Sequence, residues 1–196
     1  MNERIETWFP TSVYIADEVL PTDQLQLLED EIKQVLGQVG AFRNGINNID
    51  STHKTNKMLH TNPVFKPLVD QIYSHAKNYL EAFGMSDELI RSAKIDVMWS
   101  NISQEGDYIF PHVHGNSLLS GAFYVKRAGD CKISFFKSLD KYNVMTDAAE
   151  TSNRFNTDSC EYECLPGRLL LFTSDTLHGT ARQPAGEKIV ISFNIS

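Results

Sequence analysis

Two histidines one residue apart, His112 and His114, stand in the stretch YIFPHVHGNSLLSGAFYV at residues 108–125. In an extended strand residues i and i+2 face the same side, so this spacing presents two imidazoles to one metal ion. A third histidine, His178, lies in a second apolar block, LLLFTSDTLHGTARQ. Three imidazoles converging from two strands make one face of a coordination sphere and leave positions open. A catalytic metal needs such positions for substrate, cosubstrate or oxygen. The common non-haem iron triad is two histidines and one carboxylate. Here His114 takes the slot of the acid, and Gly115 and Asn116 follow it. The same spacing also suits an exposed strand face, with His178 a hydrogen-bonded core residue. Pro111 before the pair and Gly115 after it favour a strand end opening onto a cavity.

A cation, Lys188, follows His178 by ten residues at the start of the last strand. That spacing lets adjacent strands bring the two together. A dicarboxylic cosubstrate that chelates a metal at one end needs a cation for its far carboxylate. A buried ammonium is costly unless paired, so a lysine entering a sheet interior implies an acidic guest. Lys188, Val190, Ser192 and Asn194 share one strand face, and Ser192 could add a hydroxyl to the same carboxylate. Two readings compete with this one. Lys188 could cap a surface hairpin beside Glu187, and Arg182, with the parity of His178, is the alternative cation.

The elements that must position these residues follow from periodicity. Residues 8–15 read as a short edge strand that tolerates Pro10 and could support a homodimer. Thr22 is a plausible N-cap for a first helix whose stripe is Leu25, Leu28, Ile32, Val35 and Leu36. Residues 37–56 read as a polar loop, and His53 and His60 as surface histidines. A second helix occupies residues 62–83, its regular part starting at Pro67, with His75 in solvent. From Lys94 the period changes to two. Strands are expected at 94–101, 108–114, 118–126, 131–137, 160–165, 168–173, 177–182 and 188–195, with a long polar loop at 140–158. Helices followed by short strands predict an α+β chain, mainly β, in which the helices brace one sheet of a β-sandwich or jelly roll.

Composition excludes some functions. The chain has 196 residues, a length for one domain with a proper core, and a net charge of −7. An acidic chain lacks the basic face of a nucleic-acid or membrane-surface binder, so neither partner is expected. No run approaches the ~18 apolar residues of a membrane span. The start, MNERIETWFP, has no signal-peptide pattern, and Cys131, Cys160 and Cys164 read as reduced thiols, so a cytoplasmic location is expected.

Taken together, Trp99-Ser-Asn101, Pro111-His-Val-His114, Ser120-Gly-Ala-Phe-Tyr124, Pro166-Gly-Arg-Leu-Leu-Leu-Phe172, His178 and Lys188-Ile-Val-Ile-Ser-Phe-Asn194 resemble the 2-oxoglutarate and Fe(II)-dependent oxygenases, in particular small bacterial and phage members with a His-x-His motif. The resemblance covers roughly residues 94–196. It implies a double-stranded β-helix, a jelly-roll and cupin-like fold, with 1–93 as helical support and 94–196 as a β core holding the metal. It implies iron on His112, His114 and His178, and 2-oxoglutarate on Lys188. Tyr124 and Asn101 would line the cosubstrate pocket, and Asn194 would lie near the metal. The family's cation is usually arginine, and its serine two residues on is Val190 here, which leaves Ser192 as the substitute. The activity expected is hydroxylation of an unidentified substrate, using oxygen and releasing succinate and carbon dioxide. The alternatives are a three-histidine dioxygenase without 2-oxoglutarate and a non-catalytic cupin-like metal-binding protein.

Overall fold

Helix α1 (Thr22–Val39) forms because Leu28, Ile32 and Val35 recur at helical spacing and bury one stripe. Pro21, not Thr22, holds the N-cap position, and Thr22 is the first helical residue. The ring-fixed φ of Pro21, −72°, suits the entry to a helix. The helix passes through Gly37 and ends at Gly40, whose φ of 76° closes the last turn. In the second helical region Asn62 accepts a hydrogen bond from Val64 N–H and caps a 3-10 turn at Pro63–Phe65. Helix α2 (Lys66–Ala82) then buries Leu68, Ile72, Ala76, Tyr79 and Leu80. A short helix, α3 (Asp87–Ser92), is capped by the Ser86 hydroxyl. The computed structural model describes residues 3–7, 10–41, 49–137, 150–151 and 153–196. Parts of the expected loops at 37–56 and 140–158, and Trp8 and Phe9 of the expected edge strand, lie outside the described residues.

Among the described residues there are ten strands. They are β1 (Val13–Ala16), β2 (Asp50–Ser51), β3 (Ile95–Ser103), β4 (Ile109–His112), β5 (Leu119–Lys126), β6 (Lys132–Phe136), β7 (Ser159–Glu163), β8 (Leu169–Thr173), β9 (His178–Thr180) and β10 (Lys188–Ile195). Six make one sheet in the order β1-β8-β5-β10-β3-β2, and four make another in the order β4-β9-β6-β7. The paired strands are antiparallel.

Alternation sorts each strand of the large sheet between two cores. Leu169, Leu171, Ile189, Ile191, Phe193 and Ile195 pack with the helices. Their neighbours Leu170, Phe172, Val190, Ala122 and Tyr124 face a second cluster with Ile133 and Phe135 of the small sheet. The helices therefore brace one sheet, as expected, and the space between the sheets is left for the polar residues of β10, β5 and β3.

Candidate metal centre

His112 ends β4 and lies directly opposite His178, the first residue of β9. The two strands approach so closely that a Cβ on Gly179 would sit 2.8 Å from the Ile109 carbonyl oxygen and 2.9 Å from Pro111 N. Glycine at 179 thus sets the spacing of the two rings. His114 falls just beyond β4, where its backbone N–H donates to the Ser174 carbonyl at 2.8 Å. The two neighbours are therefore not on one regular strand. Even so, the three rings meet, with centroids 5.0 Å (112–114), 4.5 Å (112–178) and 5.2 Å (114–178) apart. One nitrogen from each lies within 4.8 Å of the others.

Hydrogen bonding fixes two of the tautomers. Nδ1 of His112 is 2.8 Å from the Phe110 carbonyl, and Nδ1 of His178 is 2.8 Å from the Thr176 carbonyl. A carbonyl oxygen only accepts, so each Nδ1 carries the proton and each Nε2 lone pair is free. Burial lowers His178 to about 3, with His112 and His114 pressing the same way against the Thr176 carbonyl. Burial, then the charges of His112 and His53, lower His114 to about 4. Both rings are neutral at pH 7, the form that binds a metal.

The histidines line a cavity of about 300 Å³ between the sheets, and Lys188, Tyr124, Asn101 and Ser192 line it too. Lys188 is 2% exposed. Among the described residues no carboxylate or other hydrogen-bond acceptor pairs with its ammonium. Alternation sends Glu187 the other way, where it accepts from Lys126 at 3.1 Å and Gln104 at 3.2 Å and pairs with Lys33 at 3.3 Å. The surface-hairpin reading of Lys188 is thereby removed. Arg182 is exposed, donates to the Gly106 carbonyl at 3.1 Å and lies over the Tyr108 ring, outside this cavity. Lys188 and His178 do not come together through adjacent strands. They belong to opposite sheets and face the cavity from its two walls.

Asn101 anchors the floor. With its nitrogen toward Ser51 and the Ser100 carbonyl, and its oxygen toward the Trp99 indole and the Ser192 hydroxyl, its carboxamide satisfies all four neighbours. Asn194 is not among the lining residues. Its side-chain oxygen accepts from Ser120 at 2.9 Å, and Ser120 also bonds Ser174, whose carbonyl holds His114. This buried network braces His114 from behind.

Sequence reasoning missed several lining residues. His53, expected at the surface, stands edge-on to Trp99 at 4.8 Å, and Trp99 is 5.8 Å from His114. Ser51, His53 and Lys54 all reach the cavity because β2 pairs with β3, a two-residue strand that leaves no periodic signal. Trp99 could have been found, since it shares the strand face of Asn101. His53 is nonetheless exposed, as expected, and the other two histidines outside the centre are less so. His60 is half-buried in a 3-10 turn, and His75 bonds the Tyr14 hydroxyl at 2.9 Å.

Residues 97–194, half of the chain, match the model of a protein family described as "Putative 2OG-Fe(II) oxygenase". The chain belongs to this family. No curated protein sequence matches it. Solved structures share its fold at low identity. The non-heme alpha ketoglutarate dependent epimerase SnoN of nogalamycin biosynthesis has a TM-score of 0.69 at 11% identity, covering 94% of this chain and 76% of SnoN. A Pseudomonas putida prolyl-4-hydroxylase gives 0.64 at 11% identity, covering 94% and 92%. HygX from Streptomyces hygroscopicus, with nickel and 2-oxoglutarate bound, gives 0.65 at 12% identity, covering 95% and 83%.

Membership makes this oxygenase an enzyme that uses Fe(II) and 2-oxoglutarate. The donor chemistry fits both. Three imidazoles whose ligand nitrogens converge suit a first-row metal, and the buried ammonium suits a diacid. Among the described residues, no helix is long and apolar enough to cross a membrane.

Proposed function

We propose that the oxygenase binds Fe(II) through His112, His114 and His178 and hydroxylates a C–H bond of its substrate. The observation that carries this reading is the cavity itself. Three imidazoles with free nitrogens stand on one wall, and a buried, carboxylate-free lysine stands on the other. Bound there, iron and 2-oxoglutarate would supply the oxygen activation that oxidises the substrate while releasing succinate and carbon dioxide.

The protein's own residues bind, orient and exclude water. Lys188 takes the far carboxylate of 2-oxoglutarate, and Ser192 and Tyr124 border it. The carbonyls of Phe110 and Thr176 hold two rings in the metal-binding tautomer. Phe172, 4.6 Å from His178, keeps that side of the centre dry. The fold that does this is a double-stranded β-helix, a reading supported by two antiparallel sheets that face each other across the site. Residues 94–196 form the core that carries the ligands and 1–93 the support, with Ser51, His53 and Lys54 reaching in at the mouth. Substrate enters past His53 and Trp99.

Anaerobic metal analysis together with succinate release in Fe(II), 2-oxoglutarate and oxygen tests the proposal. Decarboxylation that disappears in His178→Ala and in Lys188→Met supports it. Tight metal binding with no succinate formed, even without a substrate partner, would favour the non-catalytic alternative. Oxygen consumption that persists in Lys188→Met would favour a dioxygenase needing no cosubstrate. Screening candidate substrates for a mass gain of one oxygen then identifies the substrate.

A further inference from the structure

Beside Lys188 the β6–β7 pair brings two thiols face to face. The ladder pairs Lys132 with Glu163, so its next step sets Cys131 opposite Cys164, and Cys164 N–H donates to the Cys131 carbonyl at 3.1 Å. Opposed residues of a hydrogen-bonded antiparallel pair project to the same face with Cα atoms about 5.5 Å apart, within the range a disulfide accepts. Both side chains are free thiols, buried in the same cluster between the sheets. Tyr124, which lines the main cavity, belongs to the same buried cluster. The charge of Lys188 acts on both sulfurs. Cys131 and Lys188 also line a second cavity of about 210 Å³ with Arg182 and Gln183, which opens a route for a small oxidant that bypasses the histidines.

We propose that Cys131 and Cys164 are a modification site, at which a peroxide forms a cross-strand disulfide beside the cosubstrate anchor. Cys131 is the attacking group. The neighbouring Cys164 thiol, and then the charges of Lys188 and Arg127, hold its thiol below the usual range, while Cys164 is pushed up. The Cys131 sulfur bonds one peroxide oxygen and the O–O bond breaks. The departing hydroxide takes the proton Cys131 gave up and leaves as water. The Cys164 sulfur then attacks the Cys131 sulfur, the S–S bond forms and the S–O bond breaks. That second hydroxide leaves as water with the proton of Cys164. Two thiols and one hydrogen peroxide give one disulfide and two waters, the sulfurs losing two electrons to the peroxide.

The disulfide stands independently of the metal. Its coupling to the cosubstrate rests on the role proposed for Lys188: a Cys131 thiolate and the far carboxylate of 2-oxoglutarate compete for one ammonium.

The test uses reduced enzyme loaded with zinc in place of iron, so that peroxide meets no redox metal. Mass spectrometry of a non-reducing digest after hydrogen peroxide treatment should show Cys131 linked to Cys164, with the exposed Cys160 unlinked. In Lys188→Met, or with 2-oxoglutarate at saturation, linkage should slow by about tenfold as the thiolate loses its counter-ion. Lys188→Arg keeps the charge and should keep the rate, which covers the case in which the methionine variant does not fold. Cys131 and Cys164 remaining as thiols while Cys160 is oxidised overturns the site. Linkage at one rate in all four samples overturns the coupling to Lys188. Absence of succinate release by reduced, iron-loaded enzyme that still forms the linkage would count against the oxygenase reading instead.

Discussion

In the proposed site, Lys188 is the residue on which cosubstrate choice would turn. A buried ammonium without an acidic partner is an unfavourable arrangement in the empty protein, and a diacid guest relieves it. Lys188→Met keeps the volume and removes the charge. Its Kd for 2-oxoglutarate, measured by calorimetry, should rise by about 2–4 kcal/mol, a factor of roughly thirty to a thousand. The melting temperature of the same variant without ligand should not fall, because a buried unpaired charge is lost. The histidines set the acid limit. His178 and His114 have folded values of about 3 and about 4, below the ordinary 6.5. Below pH 6.5 the unfolded chain therefore binds more protons than the folded one. Metal-free enzyme should hold its full stability above pH 6.5 and lose it progressively as the pH falls toward 4 and then 3. Denaturant midpoints across that range check the sign, and His178→Phe should flatten the slope.

The β4–β9 pair is the element that makes the site. Its two strands are short, and its register places His112 opposite His178. Gly179 permits the close approach, since any Cβ there would meet the backbone of Ile109 and Pro111. Gly179→Ala should force the strands apart at a cost of about 1–3 kcal/mol. It should also weaken zinc or Fe(II) binding more than Gly37→Ala, which has open space around it in α1. Paired metal titrations and thermal melts of the two variants separate a local effect on the rings from a general one.

At the scale of the molecule, a metal in the proposed site would tie His112 and His178 of the small sheet to His114 just beyond β4. Ligand that binds only the folded form stabilises it by about 2.7 kcal/mol at a hundred times Kd. For a chain of this size that corresponds to a rise in Tm of about 5–10 °C. Chelation should reverse the rise, and His112→Ala should abolish it. The ionic cluster of Glu29, Lys33, Lys126 and Glu187 ties α1 to the starts of β10 and the end of β5. It holds Glu187 on the helix side, which is what leaves Lys188 alone inside the cavity.

The sequence by itself determined the kind of chemistry and most of the elements. Histidine spacing, the change of period at Lys94 and the lysine opening β10 are local facts, since a side chain's face on a strand follows from its position in the alternation. His112, His114 and His178 were legible for that reason. What the chain order could not carry were contacts between distant strands. Nothing in the sequence says that β9 pairs with β4 while β10 joins the other sheet, so His178 and Lys188 looked like neighbours on adjacent strands when they face each other across a gap. His53 and Ser51 were missed because a two-residue strand has no period. Alternation put Lys188 and Glu187 on opposite faces, but which of them met the cavity was legible only from the partners that Glu187 finds on α1 and β5, because burial of a charge depends on every group around it.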